Sequence, residues 1–302
     1  MRAVVVGDRE AGVDGLTVGE RPYPHAAEND VVVRVHAAGF TRGELDWPGT
    51  WTDRAGRDRA PSIPGHEVAG VVAELGYGTT GLTVGQRVFG LTDWTRDGTL
   101  AEYVAVEARN LAPLPASIDY VTAAALPISG LTAWQGLFDH GRLQPGQSVL
   151  IHGAGGAVGS VAVQLAREVG AHIIGTGRAA DRSRAAELGV HQFIDLENED
   201  LDDEVDVIFD VIGGAVRDQS LQFLRSGGTL VTIADPPTVH SQSGRDIFFV
   251  VEPNRPQLTE LATRLQSGRL TPLITTVADL AEAPAAFATR GRTIITIAPT
   301  NG

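Results

Sequence analysis

The chain contains no cysteine among its 302 residues. Disulfides, thiolate nucleophiles and every cysteine-ligated zinc or iron–sulfur centre are therefore excluded. Basic charge is also scarce, since 24 Lys and Arg stand against 37 Asp and Glu for a net charge of −13. A nucleic-acid binder would want a basic face. No stretch approaches the roughly 20 uninterrupted apolar residues that span a bilayer, and residues Met1 to Asp8 lack the longer apolar segment of a signal peptide. These shortages predict a cytoplasmic protein with neither membrane nor nucleic acid as partner. The eight histidines form no His-Glu-x-x-His pair, because His66 and Glu67 are followed by Val68, Ala69 and Gly70. A short-chain dehydrogenase fails as well: it needs Tyr-x-x-x-Lys, and the residues four beyond Tyr23, Tyr77, Tyr103 and Tyr120 are Ala27, Gly81, Glu107 and Ala124.

With 43% hydrophobic residues and 36 glycines, the chain can bury one large or two ordinary cores. Its first hundred residues read as β-rich. Arg2–Val6, Asp30–Ala37, Val68–Leu75, Arg87–Phe89 and Ala101–Val106 are short valine-rich runs between glycine and proline signals. From about Thr122 helices alternate with strands, the latter expected at Ser148–Ile151, His172–Thr176, Gln192–Ile194, Val205–Val211 and Thr229–Ile233. That alternation predicts a parallel, doubly wound sheet with right-handed crossovers. A helix near Gln257–Gln266 and a strand at Thr293–Ile297 are expected to close the chain. The acidic run Asp195–Asp206 reads as a solvated surface loop, because like charges are cheap only in water.

Residues Val149–Gly170 read as a buried strand, a small-residue turn and an amphipathic helix. Such a turn lets backbone N–H groups reach phosphate oxygens at a helix N-terminus, which carries partial positive charge. The G-x-G-x-x-G register that ends on Gly159 places Ala154 first and Gly156 second. A dinucleotide is the expected ligand.

The order of motifs resembles the medium-chain dehydrogenase/reductase superfamily, specifically its zinc-free quinone oxidoreductase branch. The resemblance spans nearly the whole chain. It rests on residues 37–41 (Ala-Ala-Gly-Phe-Thr), 64–72 (Pro-Gly-His-Glu-Val-Ala-Gly-Val-Val), 85–90 (Gly-Gln-Arg-Val-Phe-Gly), 98–103 (Gly-Thr-Leu-Ala-Glu-Tyr), 124–127, 130–134, 151–159 and 248–254. It implies an α/β chain with a GroES-like β-domain (1–122 and 268–302) and a Rossmann domain (123–267), cofactor and substrate lying in the cleft between them. A homodimer through the Rossmann domains is implied too. Zinc-dependent relatives use two cysteines and the histidine of Gly-His-Glu; here Phe40 and Ile128 stand at the cysteine places, so His66 is expected to line the cleft or serve the fold, with no metal bound. Without a metal, quinones and α,β-unsaturated carbonyls are the easier acceptors, because they delocalise incoming charge.

An NAD site would want Asp or Glu at the tip of the second Rossmann strand, yet Gly177 stands there, followed by Arg178, with Arg182 and Arg184 nearby. Guanidinium donors suit a 2′-phosphate, so NADPH is the expected cofactor. Its expected contacts are Ala154, Gly155, Gly156, Ala157, Val158, Gly159, Thr176, Gly177, Arg178 and Arg182. The resemblance adds Thr132, Gly213, Ile233 and Phe248, Phe249 and Val250 around the nicotinamide. Thr41 and Thr132 are the candidate catalytic hydroxyls. Phe40, Thr41, Asp46, Trp47, Trp51, His66, Trp94 and Ile128 are expected to border the substrate. The expected activity is reduction of a quinone or enone. An enoyl-thioester or biosynthetic-intermediate reductase of the same family, and a non-catalytic NADPH-binding sensor or scaffold, stay open.

Overall fold

A computed structural model describes residues 1–199 and 203–297. Asp200, Leu201 and Asp202 of the acidic run lie outside them. Among the described residues, contacts divide the chain into two compact units, residues 1–127 with 253–267 and 274–297, and residues 128–199 and 203–252 with 268–273.

In the first unit, β1 (Arg2–Val6) pairs antiparallel with β2 (Leu16–Glu20), from Arg2 opposite Glu20 to Val6 opposite Leu16. The long strand β3 (Asp30–Gly39) lies against β4 (Glu67–Leu75), and its first half also takes β6 (Tyr103–Glu107). From β4 the sheet continues through β5 (Arg87–Leu91) to β7 (Leu111–Pro113). Strand β6 shows why these segments are strands: Val104 and Val106 alternate into the core while Tyr103, Ala105 and Glu107 stay half-buried. That period of two fits a sheet with one buried face.

The second unit holds β8 (Ser148–Ile151), β9 (His172–Gly177), β10 (Gln192–Asp195), β11 (Val205–Asp210), β12 (Leu224–Thr232) and β13 (Arg245–Phe248). All pair in parallel, in the order β10-β9-β8-β11-β12-β13. This is the doubly wound Rossmann order, with its switch point between β8 and β11. Residues Val149–Ile151 of β8, Ile173 and Ile174 of β9 and Val207–Phe209 of β11 are consecutive apolar residues, all buried, as a sheet covered on both faces requires.

The chain then returns to the first unit as β14 (Thr276–Asp279) and β15 (Thr293–Thr296), which pairs antiparallel with the end of β3. Helix Arg255–Gln266 groups with this first unit, where the sequence partition had put it with the second. The physical reason is its anchor: the Arg255 guanidinium donates to the Ala108 carbonyl, and Gln266 to Ser117. Residues 268–273 group with the second unit, where Gln164 brackets Thr271 with two hydrogen bonds of 2.9–3.0 Å.

Four strands escaped the sequence reading: β2, β7, β13 and β14. Each is short, and β2, β13 and β14 are largely exposed, so hydrophobic periodicity was absent. The acidic run needs correction at both ends. Asp195 closes β10, is buried and accepts from Asn198, whereas Asp206 lies in β11 and holds the Ser148 N–H at 2.8 Å and Arg225 at 3.0 Å.

The return of the chain is fixed by Arg292, 6% exposed, whose guanidinium pairs with fully buried Glu67 and donates to the carbonyls of Phe40 (2.9 Å) and Ala124 (3.4 Å). Removing one member leaves the other charge buried without its partner. Arg292→Leu should therefore cost about 3–5 kcal/mol of stability in urea unfolding. Adding Glu67→Gln should restore part of that loss.

Candidate functional site

In the second unit, the β8 strand ends at Ile151 and the helix Ala157–Val169 begins after an N-cap at Gly156. Two glycines shape the turn between them. Gly153 has a φ of +69°, a conformation that favours glycine. A Cβ on Gly159 would sit inside the Gly153 carbonyl, so glycine there lets the helix close on the turn. Gly156 differs, because a Cβ there meets nothing nearer than the Gly153 oxygen at 3.2 Å. Its surroundings are open rather than packed.

The cap of this helix has no side-chain acceptor. Among the described residues the N–H groups of Ala157, Val158 and Gly159 take no acceptor, leaving the free donors of a helix N-terminus. Such donors with the helix dipole suit a phosphate. The Ala154 N–H is a correction to the expected set, being spent on the Thr176 carbonyl at 2.9 Å with Ala154 fully buried. Gly156 likewise spends its N–H on Gly153.

Thr176 and Gly177 close β9, and Thr176 Oγ1 lies 2.8 Å from His152 Nδ1. Burial drives the His152 imidazole down to about 4, against the pull of Asp210. Arg178 is exposed, its Nε 3.5 Å from Asp181. Arg182 is engaged elsewhere, with both Glu199 oxygens at 2.6–2.7 Å and the Phe193 carbonyl at 2.9 Å. Its guanidinium also covers the Phe193 ring at 5.1 Å, so it is a weaker choice for a phosphate than the sequence suggested. Arg184 donates to the Gly155 carbonyl at 3.1 Å.

Across the same sheet end, Gly213 donates to both Asp210 oxygens at 3.1 Å, and Thr232 Oγ1 reaches Asp210 at 2.7 Å. Ile233 is half-buried and donates to the Asp210 carbonyl. Phe248 and Val250 are exposed, while Phe249 is buried against His140 with ring centres 4.5 Å apart. Ile128 and buried Thr132 lie on the helix Pro127–Trp134.

The first unit gathers a second constellation. His66 is 1% exposed, with Trp47 stacked at 5.9 Å and the Trp94 edge at 5.1 Å. Its Nδ1 lies 3.3 Å from Thr92 Oγ1, and its buried Nε2 has no hydrogen-bond partner among the described residues. Burial first, then Arg59, pushes this imidazole down to about 3. Asp46 is exposed and Thr41 half-buried. Phe40 and Trp51, expected to border the substrate, are buried in the hydrophobic core: Phe40 stacks on Phe287 at 4.0 Å and Trp51 Nε1 donates to the Leu45 carbonyl at 2.7 Å.

Sequence reasoning missed Glu44. Its fully buried carboxylate accepts from the Thr41 N–H (3.2 Å) and the Gly65 N–H (2.6 Å), so it holds the two segments that carry Thr41 and His66. A single acid among loop residues gives no periodic signal, and only the fold shows it buried.

Residues 27–116 match the alcohol dehydrogenase GroES-like domain and residues 188–290 the zinc-binding dehydrogenase family. The chain is 32% identical over 291 residues to the NADPH-dependent alkenal/one oxidoreductase, chloroplastic, of Arabidopsis thaliana, covering 91% of this chain and 72% of that protein. The chain belongs to the medium-chain dehydrogenase/reductase superfamily. This member is also 32% identical to a 2-methylene-furan-3-one reductase of Solanum lycopersicum over 83% of its own length, and spans 65% of that protein. The quinone oxidoreductase of Coxiella burnetii superposes with a TM-score of 0.90 at 25% identity, covering 99% of both chains. No helix among the described residues is long and apolar enough to cross a membrane.

A zinc ion, named in one matched family, does not fit the residues here. The chain has no cysteine, Glu67 is committed to Arg292, and His66 offers one nitrogen among indole rings. Among the described residues no three His, Asp or Glu side chains converge on one point.

Burial raises the Glu44 carboxyl from 4.5 to about 8, opposed by its two N–H donors. As pH rises from 4.5 toward 8, the unfolded chain loses a proton that the folded chain keeps, so Glu44 makes stability fall across that window. His66 and His152 act oppositely, costing stability as pH falls below 6.5. The difference in urea stability between wild type and Glu44→Gln isolates the first effect. It should shift in favour of the variant as pH rises from 4.5 to 8, and a difference independent of pH would refute the assignment.

Proposed function

We propose that this family member is an NADPH-dependent, metal-independent reductase that passes reducing equivalents to a quinone or an α,β-unsaturated carbonyl. The observation that carries the reading is the uncapped helix at Gly156 beside Arg178, where the strand tip offers a glycine and a guanidinium instead of an acid. The N–H groups of Ala157, Val158 and Gly159 would hold the pyrophosphate, and Arg178 the 2′-phosphate. Thr132, Gly213, Ile233 and the segment Phe248–Val250 would surround the nicotinamide, their apolar members keeping water from it. When bound, NADPH supplies the hydride.

With no zinc ligand set, charge developing on the acceptor falls to delocalisation within that acceptor and to hydroxyl donors such as Thr41 and Thr132. Trp47 and Trp94 offer aromatic faces suited to a planar substrate. His66 stays neutral at physiological pH, since burial holds it near 3, so it would line the substrate side without acting as an acid. The same reading makes the protein a cytoplasmic homodimer.

Chelator-treated protein should oxidise NADPH with a planar ortho-quinone or a small enone, followed by loss of nicotinamide absorbance. Turnover confined to enoyl thioesters would move the substrate class. NADPH binding without oxidation by any of the three would mark a sensor or scaffold.

Gly156→Val, whose Cβ makes one close contact, with the Gly153 oxygen at 3.2 Å, and otherwise meets open space, should keep the wild-type circular dichroism spectrum yet weaken NADPH binding on the order of tenfold or more by narrowing the approach to the helix N-terminus. Arg178→Ala should weaken NADPH far more than NADH in the same titration. Equal losses for the two cofactors would remove Arg178 from the 2′-phosphate.

A further inference from the structure

Asp181 occupies the N-cap position before helix Arg182–Leu188, where an aspartate ordinarily accepts an N–H of the first turn. It makes no such bond. Its side chain instead fills the notch between the glycine turn and the tip of β9. A Cβ on Gly155 would come within 2.5 Å of Asp181 Cβ and 3.0 Å of Oδ1, and a Cβ on Gly177 within 3.5 Å of Oδ2. Arg178 faces this carboxylate, with Nε 3.5 Å from Oδ2.

All 24 cationic Lys/Arg positions of the chain are arginine, and three of them cluster here. Arg182 is held by Glu199 and Phe193, and Arg184 by Gly155. Arg178 is the one of the three whose ionic partner is Asp181. Its side chain is 63% exposed and that of Asp181 19%, so the guanidinium can swing away while the carboxylate stays wedged against the turn.

At the tip of a second Rossmann strand, a carboxylate accepts the hydroxyls of an unphosphorylated ribose and an arginine accommodates a 2′-phosphate. This chain places both groups against each other, the acid arriving from three residues beyond Arg178 instead of from the strand tip itself. We propose that Asp181 is a specificity-determining residue that lowers the preference for NADPH and admits NADH. A 2′-phosphate must draw Arg178 away from Asp181 and bear the repulsion of that carboxylate, whereas a free ribose gains it as an acceptor. The inference rests on the reading that the turn holds a dinucleotide.

The test is a fluorescence titration of the whole purified chain with NADPH and with NADH, with no acceptor present. Asp181→Asn keeps the shape and removes the charge; it should raise the ratio of NADPH to NADH affinity roughly tenfold at low salt, and by less at high salt. Asp181→Ser, which removes the carboxylate while keeping Cβ against the turn, should shift the ratio the same way and guards against a folding defect in the first variant. In an Arg178→Gln background, Asp181→Asn should chiefly weaken NADH. A ratio unchanged within about twofold in both Asp181 variants, with both cofactors still bound, overturns this role while leaving the dinucleotide site standing. Failure of the wild-type chain to bind either cofactor overturns the site and this inference together.

Discussion

The buried guanidinium of Arg292 is the constraint on which the first unit depends. It comes from the turn that leads into β15, yet its partners belong to the Phe40 turn, to Glu67 at the start of β4 and to the helix ending at Ala124. A guanidinium with 6% exposure is costly unless paired, and its two terminal nitrogens meet Glu67 and the Phe40 and Ala124 carbonyls, while Nε finds no acceptor among the described residues. The pair therefore sets where β15 joins β3 and, through Phe40, where Thr41 begins. Glu44 continues this arrangement one step further, tying Thr41 to Gly65 through its carboxylate. The aromatic cluster around His66 is built on a small buried polar framework, and such a framework rewards only one arrangement because each unmade bond leaves a desolvated group.

The second unit follows a different logic. Its sheet is held by apolar burial on both faces, and its polar groups collect where the strands end. Thr176 and His152 meet at the tips of β9 and β8, and Thr232 and Asp210 at those of β12 and β11. In an open parallel sheet that end is where ligands bind. The turn from β8 presents free N–H groups there because its glycines let helix and strand approach without side chains between them. The backbone geometry thus supplies donors of the kind that suit an anion, with Arg178 and Asp181 as the charged side chains beside them.

Much of this was legible in the amino-acid order. The parallel sheet announced itself through apolar runs such as Val149–Ile151 and Val207–Phe209, and the strand, turn and helix at 149–170 fell where the glycine spacing put them. The edge strand β13 gave no such signal, since its residues are half-exposed and it is recognised only by its pairing with β12. Site residues were less legible than elements. Phe40 and Trp51 carry the right chemistry for a substrate wall but face the core, and Arg182 carries the right charge but spends it on Glu199. A residue type states what a side chain can do; its neighbours in space decide what it does.

Sequence alone determined the fold class, the family, the glycine turn and, through the absence of cysteine, the lack of a thiolate zinc site. Those properties depend on local patterns or on composition, both of which are read one residue at a time. Tertiary structure alone decided that Glu44 and Glu67 are buried, that Arg292 meets groups 168 to 252 positions away, and that Asp181 turns from its own helix toward Gly155. Electrostatic and packing partners are chosen by distance in space, and the linear chain carries no measure of that distance until it has folded.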